Sequence, residues 1–293
     1  MASPANAGSL RRNFRGCRGY EGSERVRIGN AAHEQFQPDV YGEITGAFYL
    51  GHRSGAGTSL ESWKLLMALM THLEKVWEEP DQGIWEVRGP RRHFTHSKVM
   101  AWLAFDRAAK VVDEGFYPGP AEHWRTLRDR IHRDICQKGF NQQRNGFVQY
   151  YGADTLDAAL LMIPLVGFLP ATDPRMIGTI EATRRELVSH GLVMRYRSES
   201  NIDGLPPSEG VFLPCSLWLA DNLVRTGRRH EAEELFERLG SLSNGVGLFS
   251  EEYDPVSQRM LGNFSQAFTH ISVVNSVHNL TLAEGPALHR SLD

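Results

Sequence analysis

Cysteine is scarce. Cys17, Cys136 and Cys215 are the only three in 293 residues, far apart and odd in number. That argues against a disulfide framework and fits a reducing compartment, so a cytoplasmic location is expected. Long apolar runs are missing too. No stretch approaches the ~20 residues of a membrane span. The opening "MASPANAGSLRRNFRGCRGY" has arginines and small residues but not the apolar segment of a secretory signal. It resembles an organellar leader only weakly, and a loosely packed start over residues 1–15 is the plainer reading. Neither sign of charge dominates. A net charge of −3 gives no electrostatic pull on nucleic acid or anionic membrane, and neither is expected as a partner.

Several chemical motifs are present only in fragments. "GHRSGAGTS" at 51–59 is rich in glycine but lacks the lysine of a phosphate-binding loop, so it reads as a turn. "HEQFQ" from His33 begins like a zinc-binding helix without its second histidine. His93 and His96 have a metal-site spacing but no cysteine or carboxylate cluster beside them, so no metal is expected. No G-x-S-x-G elbow exists for a serine hydrolase.

What the chain does have is helical periodicity. At 41% hydrophobic and 23% charged, it has ample material for a core. Leu60, Trp63, Met67, Met70, Leu73 and Trp77 recur at steps of three and four, and Thr58 with Glu61 has capping-box spacing. The same spacing predicts amphipathic helices in "KVMAWLAFDRAAKVVDEG", "AEHWRTLRDRIHRDI" and "DPRMIGTIEATRRELVSHG"; "LPCSLWLADNLVRTGR" and "HEAEELFERLGSLS" read as a helix pair joined around Gly227, and "SQAFTHISVVNSVHNL" as a last helix. "DTLDAALLMIPLVGFLP" is apolar nearly all round and predicts one fully buried helix. "GFVQYY" and "LVMRYR" read as short extended pieces. The expected class is all-α, built of antiparallel helix pairs whose loops carry the function. One domain is expected over residues 16–283, with a tail at 284–293.

Two loop carboxylates remain. Glu86 ends "GIWE" beside Trp85, and Glu251 opens "EEYD" far along the chain. Hydrolysis of a glycosidic bond uses such a pair: one carboxyl protonates the leaving oxygen, and an ionised partner activates water or attacks the sugar. An indole beside the first would disfavour a charged carboxyl and stack on a pyranose face. From these residues alone, a core tryptophan beside a solvated glutamate is the plainer reading of "IWE".

The ordered stretches "ERVRIGNAA", "DVYGEI", "DQGIWEVRGPRRHFTHSKVMAWLAFDRA", "FVQYYGADTLDAALLMIPLVGFLP", "DGLPPSEGVFLPCSLWLAD" and "LFSEEYDPVSQRMLGNFSQAFTHI" are similar to glycoside hydrolase family 15, the glucoamylase and trehalase-like enzymes. The resemblance runs from about Gly16 to Leu280. It implies an (α/α)6 toroid and hydrolysis of α-glucosidic bonds with inversion, without a cofactor. Glu86 would then be the general acid and Glu251 the general base, roughly 6.5–9.5 Å apart to admit a water. Trp85 would line the sugar pocket, Arg195 would bind sugar hydroxyls, and Phe268 would contact the sugar. Without the resemblance, Arg195 could equally be an ion-pair partner, Phe268 core, and Glu252 a solvated or supporting residue.

The chain also departs from the family. The region with the family's Trp-x-Arg-Asp loop has no counterpart; Arg128–Asp129 lie within a helix and do not replace it. The expected toroid is therefore incomplete. The expected partners are trehalose or an α-linked oligo- or polysaccharide, and a missing N-terminal half. A non-catalytic, at most sugar-binding remnant is the alternative.

Overall fold

In the computed structural model, residues 31–197 and 210–281 are described, with positions 12–13, 16, 18–19, 22 and 27–29 ahead of them. The boundaries expected near residues 15 and 283, and the stretch "DGLPPSE" at 203–209, fall outside or at the edge of the described residues.

The helices among the described residues are α1 (Asp39–Arg53), α2 (Leu60–Val76), α3 (Thr95–Asp113), α4 (Ala121–Lys138), α5 (Met162–Leu165), α6 (Pro174–Leu187), α7 (Leu213–Arg225), α8 (Arg229–Gly240) and α9 (Ala267–Thr281). α1 and α4 both pack on α3, while α8 and α9 pack on α7. α1 reaches α3 closely through Gly42. A Cβ there would lie 2.4 Å from the Met100 carbonyl oxygen, so only glycine permits the approach.

α3 differs from its expected amphipathic pattern, because every side chain from Thr95 to Ala109 is buried. Its charges are satisfied internally. Lys98 Nζ donates to the carbonyls of Trp77 and Glu79, 2.6 Å each, which are free at the end of α2. Burial pushes the Lys98 ammonium down to about 8. Arg107 pairs with Asp106 and donates to the Val166 carbonyl.

α2 buries Trp63, Leu66, Met70 and Leu73, whereas Leu60 is exposed. Its cap is Ser59, whose hydroxyl accepts from the Ser62 N–H at 3.1 Å. The expected Thr58–Glu61 capping box does not form, and the cap lies one residue later than expected. Thr58 instead meets the Tyr117 hydroxyl and His52.

The single buried helix expected over 154–170 is a 3-10 turn at Ala158–Leu161 followed by the one-turn α5. Pro164 lacks the N–H needed to continue a helical ladder, and Gly167, at φ 83°, closes the turn. α6 stops at Leu187, short of the expected Gly191. His190 and Gly191 both take positive φ and turn the chain into a hairpin of β5 (Val188–Ser189) and β6 (Leu192–Val193).

The scaffold is helical, as expected. The correction to a purely α class lies in the strands at the helix ends. β1 (Arg12–Asn13) pairs with β2 (Arg27–Ile28), and β3 (Phe140–Asn141) with β4 (Gly146–Phe147). A three-stranded antiparallel sheet has the order β7 (Val211–Phe212), β8 (Ser250–Asp254), β9 (Arg259–Phe264). "GFVQYY" and "LVMRYR" begin in extended strands, as expected. No described helix is long and apolar enough to cross a membrane.

Candidate active site

Glu86 lies on a lobe between α2 and α3. Asp81 and Arg92 close its base with a pair of backbone hydrogen bonds, both 2.8 Å. Asp81 is fully buried, and its Oδ1 accepts from the Gly83 N–H and the Ser97 hydroxyl, each 2.7 Å. The segment before α1 laces the lobe from outside. Gln35 Nε2 donates to the Glu86 carbonyl at 3.1 Å, Gln37 Nε2 to that of Gly83, and Phe36 exchanges hydrogen bonds with Gln82. This lacing holds Glu86 at φ 55°, a left-handed conformation costly for a side-chain-bearing residue and enriched at functional sites. The Glu86 side chain is exposed, so the apolar wall expected around it does not enclose it.

Trp85 turns the other way, into an aromatic cluster. Its indole N–H is shared by the two carboxylate oxygens of Asp157, at 2.8 and 2.9 Å. The ring meets Phe212 edge-on at 5.5 Å, with Trp218 at 6.3 Å and Tyr196 at 6.4 Å. The Arg195 guanidinium lies over it at 5.8 Å, within cation–π range.

Arg195 also pairs with Glu252 at 2.8 Å, both side chains largely buried. The ion-pair reading of Arg195 is therefore realised, inside the same cluster as Trp85. Glu252 faces inward with a partner, which agrees with the supporting role of the two expected and not with the solvated one. Phe268, at the start of α9, stacks on Phe212 at 5.9 Å and meets Trp218 edge-on. It is 41% exposed, which removes it from the core.

Glu251 was expected in a loop and lies on β8. The pairing with β9 slips between Ser250 and Glu252, so Glu251 occupies a bulge, a device that re-aims a side chain on a strand. Its Oε2 accepts from the Asn263 N–H at 3.1 Å and from Asn263 Nδ2 at 2.9 Å. The structure thus brings Trp85, Arg195 and Phe268 into one cluster. Glu86 follows Trp85, and Glu251 precedes the partner of Arg195, so each candidate carboxylate adjoins it in sequence.

Three further carboxyls near these segments were not singled out in the sequence. Burial raises Asp157 to about 6, opposed by hydrogen bonds from Ala159, Trp85 and Gln149. Burial raises Asp39, at the first turn of α1, to about 6, with the charges of Glu43 and Glu86 adding. Burial raises Asp81 to about 7 against Ser97, Lys98 and Gly83. A signal was present: each is an acid within or beside an apolar or structured stretch, and a buried acid needs donors. His93 stacks on Tyr151, while His96 is buried and pushed down to about 4. No group of three metal-ligating side chains occurs among the described residues.

Asp81 provides a stability prediction. Its folded pKa lies above the 3.8 of the unfolded chain, so its contribution is greatest at low pH and is lost as pH rises from about 4 through 7. Asp81→Asn keeps an acceptor for Gly83 and Ser97 and removes the titration. Between pH 5 and pH 8, the stability of Asp81→Asn relative to the parent should rise by about 3 kcal/mol. Thermal unfolding of both proteins at the two pH values measures this. An identical difference at both would show that Asp81 is ionised throughout.

With this geometry, a helical scaffold presents aromatic rings, an arginine and two carboxylate-bearing segments at one place. Comparison with known sequences identifies the class. The chain belongs to glycosyl hydrolases family 15, whose model matches residues 10–278. It is 44% identical over 269 residues to a trehalase of Mycobacterium tuberculosis, covering 92% of this chain and 39% of the relative. To a trehalase of Thermoplasma volcanium it is 39% identical over 257 residues, covering 87% and 41%. The chain spans about two-fifths of the length of these curated relatives. A solved wild-type glycosidase superposes with a TM-score of 0.66 at 19% identity, over 85% of this chain and 63% of that one. A D-mannose isomerase gives 0.63 at 10% identity, over 88% and 74%. At such identities these two structures speak to the fold alone, and it is one that glycosidases use.

Proposed function

We propose that this chain carries the catalytic centre of an inverting, trehalase-type glycosidase on part of an (α/α)6 toroid. The observation that carries the reading is the meeting of Trp85, Arg195 and Phe268, drawn from three remote segments, with Glu86 next to Trp85 in sequence and Glu251 next to Glu252, the partner of Arg195. The partly exposed Phe268 ring offers an apolar face to a pyranose, and the guanidinium offers a rigid fork of donors to its hydroxyls. Glu86 donates its proton to the glycosidic oxygen as the bond breaks. Glu251, oriented by Asn263, takes a proton from the water that attacks the anomeric carbon from the opposite face. No step calls for a cofactor. Trehalose is favoured as substrate because the relatives above are named trehalases.

Purified chain is to be assayed on trehalose and on maltodextrin, with the glucose anomers followed by proton NMR before they equilibrate. Inversion at one carbon of trehalose gives equal amounts of β-glucose and α-glucose, the latter being the leaving group. Glucose from maltodextrin alone would move the assignment to a glucoamylase type. Release of α-glucose only would overturn inversion.

A second reading is favoured by one observation. α9 exposes Ile271 and Val274 at 57% and 55%, and α1 exposes Val40 and Ile44 at 46% and 42%. Such apolar faces fit a half-domain that a partner segment completes. Self-association, or turnover only after an upstream family segment is added, would favour it.

A further inference from the structure

We infer that Asp157 is a positioning residue that locks the Trp85 ring and ties the segment of the candidate acid to that of the candidate base. The inference deepens the glycosidase reading and rests on it for its kinetic arm.

Asp157 is 3% exposed, and its carboxylate joins three chain segments. Both oxygens accept the Trp85 indole N–H at 2.8 and 2.9 Å. Oδ1 also accepts the Ala159 N–H at 2.8 Å, capping the 3-10 turn, and Oδ2 takes Gln149 Nε2 at 3.3 Å. Gln149 is itself fixed. Its backbone N–H donates to the Thr155 carbonyl at 2.9 Å, and its Oε1 accepts the Thr155 hydroxyl at 3.1 Å. That leaves its amide nitrogen to donate to Asp157.

A fourth segment is reached through the next residue. The Ala158 N–H donates to the Arg195 carbonyl at 2.8 Å, and the Arg195 guanidinium favours the ionised form of Asp157. Arg195 continues to Glu252, the neighbour of Glu251. A continuous path therefore runs from Glu86 through Trp85, Asp157 and Arg195 to Glu252 and Glu251.

The physical consequence is specific. An indole packed edge-on against Phe212 can still swing about its side-chain bonds. A bifurcated hydrogen bond to a buried acceptor, ionised above about pH 6, fixes its plane, and bonds to charged groups are the stronger class. Orienting a flat ring before the sugar arrives removes an ordering cost from binding, so the effect belongs in KM more than in kcat.

Asp157→Asn keeps the volume and sets an amide N–H2 against donors from Trp85 or Gln149. It should raise KM for trehalose about tenfold while kcat stays within threefold. Trp85→Phe removes the same bond from the donor side and retains a ring, which covers the case in which Asp157→Asn fails to fold; it should give a similar KM. The two substitutions should not add, because both break one contact. Unchanged KM in a folded single variant, or full additivity in the double variant, would overturn the positioning role. A second readout needs no turnover. The near-UV circular dichroism change caused by Asp157→Asn should vanish when it is built on Trp85→Phe. A change that persists there overturns the proposal, whereas absence of turnover in the parent counts only against the glycosidase reading.

Discussion

Glu86→Gln is expected to lower trehalose hydrolysis about 10³-fold, within the range for loss of a general acid, and to leave the melting temperature nearly unchanged. The two halves of this expectation have separate causes. The side chain of Glu86 is exposed, and its backbone is held by the Gln35 Nε2 bond to its carbonyl oxygen and by its N–H to the Gly83 carbonyl, both of which glutamine retains. The left-handed backbone at φ 55° is no harder for glutamine than for glutamate. Chemistry suffers because an amide cannot supply the proton that a departing sugar alkoxide needs. The role can be isolated with α-glucosyl fluoride, whose leaving group departs without protonation. Glu86→Gln should hydrolyse the fluoride at close to the parental rate, whereas Glu251→Gln should stay slow on both substrates. Trehalose turnover by Glu86→Gln within tenfold of the parent would remove Glu86 from the acid role.

The helical scaffold was largely readable because surface helices betray themselves by an apolar stripe, as α4, α6 and α8 do, whereas α7 is buried on all sides from Leu213 to Leu223. α3 hides its nature. Lys98, Asp106 and Arg107 look like a solvated face and are instead buried against carbonyls and one another. α1 was not anticipated: "DVYGEI" is marked only by the family pattern and the stretch from Gly51 reads as a turn, whereas at Gly42 the missing side chain serves helix contact. The β8–β9 hairpin was taken for a loop, since "SEEYD" has neither alternation nor branched residues. Its pairing to β7 is set by Phe212 opposite Glu252, a partner some forty positions away. At the site, local sequence marked Trp85 with Glu86 and offered Glu251 as a second carboxylate, and the family pattern assigned their roles and marked Arg195 and Phe268. Asp157 went unnoticed within an apolar run, because the indole donor that justifies its burial is remote in sequence.

Gly262→Ala should cost about 10²-fold in kcat with little change in KM, a loss that depends on where Glu251 is held. Gly262 lies on β9 beneath the bulge, at φ 72°. A Cβ there would stand 2.9 Å from both the Cβ and the Oε2 of Glu251, well inside van der Waals contact. The Asn263 N–H and side chain hold that same oxygen from the next residue, so the carboxylate has to give up these donors to move. A displacement of about an ångström in a catalytic group is enough for a 10²-fold loss. KM should hardly respond, because on this reading Glu251 acts on water and does not grip the sugar. The substitution also carries a backbone cost of about 1–2 kcal/mol for a side chain at positive φ, which by itself lowers the melting temperature. Gly227→Ala separates the two effects: Gly227 has φ 78° and nothing within 4 Å of its would-be Cβ, so it reports strain without contact. The pair should melt at similarly reduced temperatures while Gly262→Ala alone loses kcat. Equal activity in the two variants would mean that the position of Glu251 does not limit the reaction.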